Sequence, residues 1–253
     1  MCGIIGYTGP RVAREVVVAG LRRMEYRGYD SAGVAVVSHD GIEFRKKAGK
    51  ISNLDAELAQ RPLPDSGTGI GHSRWATHGA PTDANAHPHL SANGRVALIH
   101  NGIIENFAAL RSELEAKGIE FRSQTDSETA AQLLGLEVAG GADLAEAMRA
   151  VCRRLQGAFT LVAVDSQQPG RLVAARRNSP LMVGVGVGEN FVASDVSAFI
   201  EFTRSAIELG QDQVVDVTAD AVVVTDFHGA PAESHPFEVT WDLSAAEKAS
   251  GGA

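Results

Sequence analysis

Cysteine is scarce in this 253-residue sequence, with 2 residues, Cys2 and Cys152, far apart in the chain. That excludes a disulfide framework and makes a reducing, cytoplasmic compartment the expectation. Long apolar runs are missing as well. No stretch approaches the ~18 residues of a membrane span, and Arg11 and Arg14 interrupt the N-terminal region before a signal-peptide core can form. Positive charge is in deficit, since 23 Lys and Arg against 31 Asp and Glu leave a formal charge of −8. Neither a membrane nor a general nucleic-acid surface is therefore an expected partner. What remains is an ordinary globular composition, 44% apolar and 21% charged, in a chain long enough for one large domain or two small ones.

The stretch around which the chain is organised is its first six residues, Met1-Cys2-Gly3-Ile4-Ile5-Gly6. Removal of Met1 would leave Cys2 with both a thiol and a free α-amine. An amine of pKa near 7.7–8.0 can take a thiol proton and later return it to a leaving group. Nucleophile and base then sit on one residue, as in other N-terminal nucleophiles. Ile4 and Ile5 read as the anchor of a short strand, and Gly3 and Gly6 admit close backbone approach.

Periodicity supplies the rest of the framework. Val12, Val16, Val17, Leu21 and Met24 predict a helix after Pro10. Residues 31–37 and 42–48 predict a hairpin turning at Asp40-Gly41. A short helix at 54–58 precedes strands at 68–75 and 95–100, and the long loop 76–94 between them suits a functional lid. Helices are predicted at 106–117, 127–138 (N-capped by Ser127 or Asp126) and 143–155 (N-capped by Asp143). Cys152 falls on the apolar face of the last and reads as core. Short strands follow at 158–164, 172–175, 181–187, 191–193, 214–217 and 221–227, with one helix at 196–203. Strands, then helices, then strands again give an α+β class with antiparallel pairing. Residues 244–253, ending Ser-Gly-Gly-Ala, read as a tail or truncated linker.

Four stretches are unlike core or ordinary loop: 26–33, 71–79, 100–102 and 124–128. Asn101-Gly102 reads either as a plain turn or as an oxyanion hole, with a side-chain amide and an unobstructed N–H aimed at one oxygen. Arg74 and Asp126 are either solvated charges or an amino-acid clamp, a fork for an α-carboxylate and an acceptor for an α-ammonium. Thr77 and Trp75 have structural readings as loop and core. His72, His78, His87, His89 and His100 invite a metal, but their spacing is not that of H-E-x-x-H and no cysteine pairs accompany them. No metal and no cofactor are expected. Gly184, Gly186 and Gly188 lack the helix that a dinucleotide loop requires.

Taken together, the stretches 2–6, 26–33, 72–79, 86–89, 100–106 and 125–128 resemble the glutaminase domain of the glutamine–fructose-6-phosphate aminotransferases (isomerizing). These are class II glutamine amidotransferases of the N-terminal nucleophile (Ntn) hydrolase type. The resemblance covers residues 1–243 as one domain and implies a four-layer αββα sandwich of two antiparallel sheets. It implies that L-glutamine is hydrolysed to glutamate and ammonia through a γ-glutamyl thioester on Cys2, whose own α-amine is the base. Asn101 and Gly102 would hold the oxyanion, Arg74 the α-carboxylate and Asp126 the α-ammonium. Thr77, His78 and Gly79 would line the pocket, 74–82 would close over it, and Trp75 would gate the ammonia passage. The ammonia acceptor implied is a sugar-phosphate isomerase region acting on fructose 6-phosphate, which this sequence does not contain. A stand-alone glutaminase, a glutamine-sensing module and the glutaminase domain of an amidophosphoribosyltransferase are the alternatives. The run from Arg74 to Gly79 fits the hexosamine-forming enzymes better than the last of these.

Overall fold

A computed structural model of the chain describes residues 2–240, so Met1 and the expected tail at 244–253 lie outside the described residues. The chain opens with strand β1 (Gly3–Thr8) and helix α1 (Ala13–Arg23), then the hairpin β2 (Ser31–Ser38) and β3 (Gly41–Ala48). Helix α2 (Ile51–Gln60), longer than expected, leads into β4 (Thr68–Arg74). The long loop that follows holds a two-residue strand, β5 (His89–Leu90), before β6 (Val96–Ile104). Three helices come next: α3 (Phe107–Ala116), α4 (Asp126–Ala139) and α5 (Leu144–Arg154). The C-terminal part is β7 (Gly157–Asp165), β8 (Arg171–Arg177), β9 (Met182–Val185), β10 (Asn190–Ala193), β11 (Ser205–Glu208), β12 (Gln213–Thr218), β13 (Val222–Asp226) and β14 (His235–Glu238).

The strands form an eight-stranded sheet, β14-β11-β9-β10-β1-β4-β2-β3, and a six-stranded sheet, β13-β12-β8-β7-β6-β5. All pairings among the described strands are antiparallel. Side chains alternate across each strand, and β1 shows what that does. Ile4 packs between the sheets with Ile70, Ile99, Val162 and Val192. Ile5, next in sequence, packs outward with Val17, Leu21 and Phe191 beneath α1. A third cluster joins the six-stranded sheet to the helices on its far face, with Leu98, Leu134, Met148, Cys152 and Phe159 among its members. The layers are thus helix, sheet, sheet, helix, the expected α+β sandwich, and Cys152 is fully buried core.

Several sequence readings need correction. Thr125, not Ser127 or Asp126, caps α4, its hydroxyl accepting the Glu128 N–H. The Thr-x-x-Glu spacing of a capping box was there to be read. Asp143 caps α5 as expected. Asn101-Gly102 is not a turn but lies within β6, paired with Thr160 and Phe159 of β7. Only a single 3-10 turn, Val196–Ala198, forms where a helix over 196–203 was expected. Trp75 is not core, since 55% of it is exposed.

Helix α1 sits so close to the eight-stranded sheet that only glycine fits at Gly71, where a Cβ would lie 2.2 Å from Val17 Cγ1. Gly71→Ala is expected to cost about 1–3 kcal/mol through overpacking, seen as a lower urea midpoint at unchanged m-value. An unchanged midpoint would mean that α1 can retreat.

Candidate active site

A cleft of about 570 Å³ opens at one end of the sandwich. Into it run the start of β1, the end of β4, the later part of β6 and the first turn of α4, which bring Cys2, Arg74, Trp75, Thr77, Asn101, Gly102 and Asp126 to one wall system. His78 and Gly79, expected to line the pocket, are not among the residues lining this cleft; their backbone carbonyls accept from Arg74, as described below.

Cys2 is fixed by its neighbours in the ladder. The Gly3 N–H donates to Ser73 Oγ at 3.2 Å and the Ile4 N–H to Ser194 Oγ at 3.0 Å. Cys2 Sγ accepts the Trp75 N–H at 3.1 Å. Burial pushes the thiol's pKa up, outweighing the pull of that N–H and of the Arg74 charge. A neutral thiol therefore needs a base before it can act as a nucleophile.

Asn101 faces Cys2 from the opposite sheet. Its Nδ2 donates to the Cys2 carbonyl oxygen at 3.1 Å, and its Oδ1 is 2.8 Å from His72 Nε2. Gly102 beside it has φ +118, and a Cβ there would lie 2.0 Å from the Ala158 carbonyl oxygen. Only glycine meets both conditions, so the close approach of β7 backbone fixes this residue type.

Arg74, only 4% exposed, points its guanidinium at the loop that follows it. It donates to the carbonyls of His78, of Gly79 at 3.2 Å and of Ala80 at 3.4 Å. Burial lowers its pKa, with the Asp30 carboxylate acting in the opposite sense. Asp30 also takes the Ala76 N–H at 2.6 Å, so it tethers the start of the same loop. Asp126 is the first residue of α4, where the helix dipole favours an anion. Its Oδ2 accepts the Ile104 N–H at 2.9 Å, which joins helix to strand.

Two contributors went unassigned in the sequence reading. Arg27 pairs with Asp195 at 2.7 Å and reaches the Cys2 carbonyl at 3.5 Å. Of the five histidines weighed as metal ligands, for which no metal was expected, His72, His87, His89 and His100 are buried close together, while half-buried His78 meets Phe107 edge-on at 5.2 Å. His72 and His87 stack with centroids 4.1 Å apart, and His87 meets His89 edge-on at 4.8 Å. His87 Nδ1 accepts the His100 N–H at 3.2 Å, His89 Nε2 lies 3.0 Å from Thr125 Oγ1, and His100 Nδ1 lies 2.8 Å from Ser127 Oγ. The unusual density of histidine between positions 72 and 100 was the available signal. Among the described residues, no group of three or more His, Cys, Asp or Glu is placed to hold a metal ion. Nor is any described helix long and apolar enough to cross a membrane.

Comparison with known proteins gives concordant results. Residues 72–201 match the model of a glutamine amidotransferase domain. The chain is 64% identical over 248 residues to glutamine–fructose-6-phosphate aminotransferase [isomerizing] of Streptomyces coelicolor, covering 98% of this chain but 40% of that protein. The Corynebacterium efficiens enzyme of the same name is 60% identical over 256 residues, with 98% and 41% covered. The chain thus spans less than half the length of these relatives. Among solved structures, glutamine phosphoribosylpyrophosphate amidotransferase from B. subtilis superposes with a TM-score of 0.75 at 25% identity, over 89% of this chain and 49% of that one.

Burial holds the histidines neutral: His72 is pushed down to about 3, His100 is lowered, and His87 and His89 fall well below the ordinary 6.5. Unfolded, they would protonate near 6.5. Between those limits the unfolded chain binds more protons, so stability falls as pH drops below 6.5. The loss is up to about 1.4 kcal/mol per pH unit for each histidine. Denaturant titrations from pH 7 to pH 4 should show this slope, and His89→Gln should reduce it by about one proton. A flat profile would mean that the group is not buried neutral.

Proposed function

We propose that this chain, which belongs to the glutamine amidotransferase domain family, hydrolyses L-glutamine to glutamate and ammonia through a γ-glutamyl thioester on Cys2. The observation that carries the reading is the convergence on one cleft of a thiol from one sheet and an Asn-Gly pair from the other. Arg74 and Asp126 border the same cleft. The Cys2 α-amine, freed by removal of Met1, takes the thiol proton. The sulfur attacks the amide carbon, and the carbonyl electrons move to oxygen, where the Asn101 amide and the Gly102 N–H receive the charge. The amine returns the proton to nitrogen, the C–N bond breaks and ammonia leaves. Water, deprotonated by the same amine, then attacks the thioester to release glutamate and restore the thiol.

Arg74 binds the α-carboxylate and Asp126 the α-ammonium, with Thr77, His78 and Gly79 alongside. Closure of 74–82 shields the thioester from stray water. A cytoplasmic setting suits a reaction that needs a free thiol. The name shared by the S. coelicolor and C. efficiens relatives supports fructose 6-phosphate as the eventual ammonia acceptor, at a sugar-phosphate isomerase region. Trp75 (55% exposed) and Ile103 (43%) line the cleft with apolar surface open to solvent, which suits a partner face through which ammonia would pass.

Cys2→Ala is expected to release no ammonia from glutamine, while Cys152→Ala retains full turnover. Intact mass should show active molecules without Met1. Turnover by Cys2→Ala, or full activity in a sample that retains Met1 throughout, would overturn the mechanism. The two halves of the cleft should separate kinetically. Arg74→Lys loses the planar fork and is expected to raise KM for glutamine about tenfold or more with little change in kcat. Asn101→Ala should lower kcat by roughly 10²–10³-fold. Wild-type kcat/KM in the Arg74 variant would rule out the carboxylate clamp.

A further inference from the structure

An asparagine can act in an oxyanion hole only if its amide nitrogen, rather than its oxygen, faces the reacting carbonyl. The two orientations differ by a half-turn of the amide and fill the same space. Something in the surroundings must choose between them.

The neighbours of Asn101 make that choice twice. On one side lies the Cys2 carbonyl oxygen, an acceptor only, 3.1 Å from Nδ2. On the other lies His72 Nε2, 2.8 Å from Oδ1. A half-turn would set oxygen against oxygen at Cys2, and at His72 it would require the ring proton to move to Nδ1, which is buried without a hydrogen-bond partner among the described residues. His72 comes from β4 and is fully buried, with the proton on Nε2 as the pairing requires. Its ring is held in turn. It stacks on His87, whose Nδ1 accepts the backbone N–H of His100, the residue preceding Asn101 on β6. The path from Asn101 through His72 and His87 to His100 closes on itself. The strand that carries the amide therefore also fixes the ring that orients it.

We infer that His72 is a positioning residue for glutamine hydrolysis, whose Nε2–H holds the Asn101 amide with its nitrogen toward Cys2 and the developing oxyanion. The inference rests on the glutaminase reading above and adds a residue that makes no contact with substrate. His72 would then affect the reaction only through Asn101, and only in the transition state.

Steady-state ammonia release by the 253-residue chain tests this. His72→Phe keeps a ring for the stack and removes the donor. His72→Gln places an amide N–H at about the reach of Nε2, whereas His72→Asn offers the same chemistry too short to reach Asn101. His72→Phe and His72→Asn are expected to lower kcat about 10–100-fold with KM for glutamine within about threefold, and His72→Gln to recover most of the loss. In an Asn101→Ala background the same substitutions should change kcat by less than about threefold, since the amide they orient is gone. Losses of equal size in both backgrounds, or equal activity of the Gln and Asn variants, would overturn the inference while leaving the mechanism intact. If Asn101→Ala alone kept full kcat, the oxyanion assignment itself would fall, and the role of His72 with it. The Gln and Asn pair decides the matter even if His72→Phe does not fold.

Discussion

The hydrogen-bonded confinement of β1 between β4 and β10 is the constraint on which the rest of the molecule depends. Residues near a chain terminus ordinarily fray, yet Cys2 must stay within reach of a cleft. The ladder on both sides prevents fraying, with Gly3 opposite Ser73 and Ile5 opposite both Gly71 and Ala193. Ile4 and Ile5, both fully buried, commit the strand to the inter-sheet core and to the α1 core at once. Two serine hydroxyls take the N–H groups of Gly3 and Ile4. The thiol is thereby placed by backbone that cannot shift without opening two cores.

Given that anchor, the second sheet supplies the complementary group. Asn101 reaches across to the Cys2 carbonyl, so one hydrogen bond spans the sandwich at the mouth of the cleft. The charged residues Arg74 and Asp126 are both buried, and each is already engaged with backbone. Asp126 takes an N–H from β6, and Arg74 gives to carbonyls of its own loop. Groups tethered in this way lose little freedom on meeting a ligand, which is the advantage of preorganisation.

Much of this could be read from residue order. Helical spacing in α1 and α5, the Asp-Gly hairpin and the strands from β6 to β10 follow from periodicity and turn chemistry. Arg74, Asn101, Gly102 and Asp126 stood out because polar residues abut apolar runs. Other features could not be seen. Asn-Gly read as a turn because local chemistry says so, and only the pairing with β7 draws it into a strand. β11 and β14 were missed because four-residue strands show little alternation, and all four residues of β14, at the sheet edge, are exposed. The packing of the histidines was invisible for a related reason. Spacing can argue for or against metal ligation, but it cannot show that the His72, His87 and His89 rings of β4 and the following loop pack together, with the His100 N–H of β6 on His87.

The same contacts divide the long loop into two unequal parts. Its second part is pinned: Lys46 Nζ donates to the carbonyls of Ala84, Ala86 and Pro88 at 2.7–3.2 Å, and Asp83 accepts the Ala48 N–H at 2.8 Å. Asn85 ties that part to Gln124 ahead of α4 through the Gln124 N–H at 2.9 Å. Residues 75–81 are held by Asp30 at one end, by the Arg74 guanidinium on the carbonyls of residues 78–80, and by Asn85 Nδ2 on the Ala80 carbonyl at 2.9 Å. The side chain proposed to bind the substrate carboxylate thus also helps to set the position of the loop beside it. A carboxylate arriving at Arg74 would share or displace those carbonyls. On the proposed role of Arg74, substrate would interact differently with the loop held by Arg74 and with the loop released from it, which is what closure coupled to binding requires.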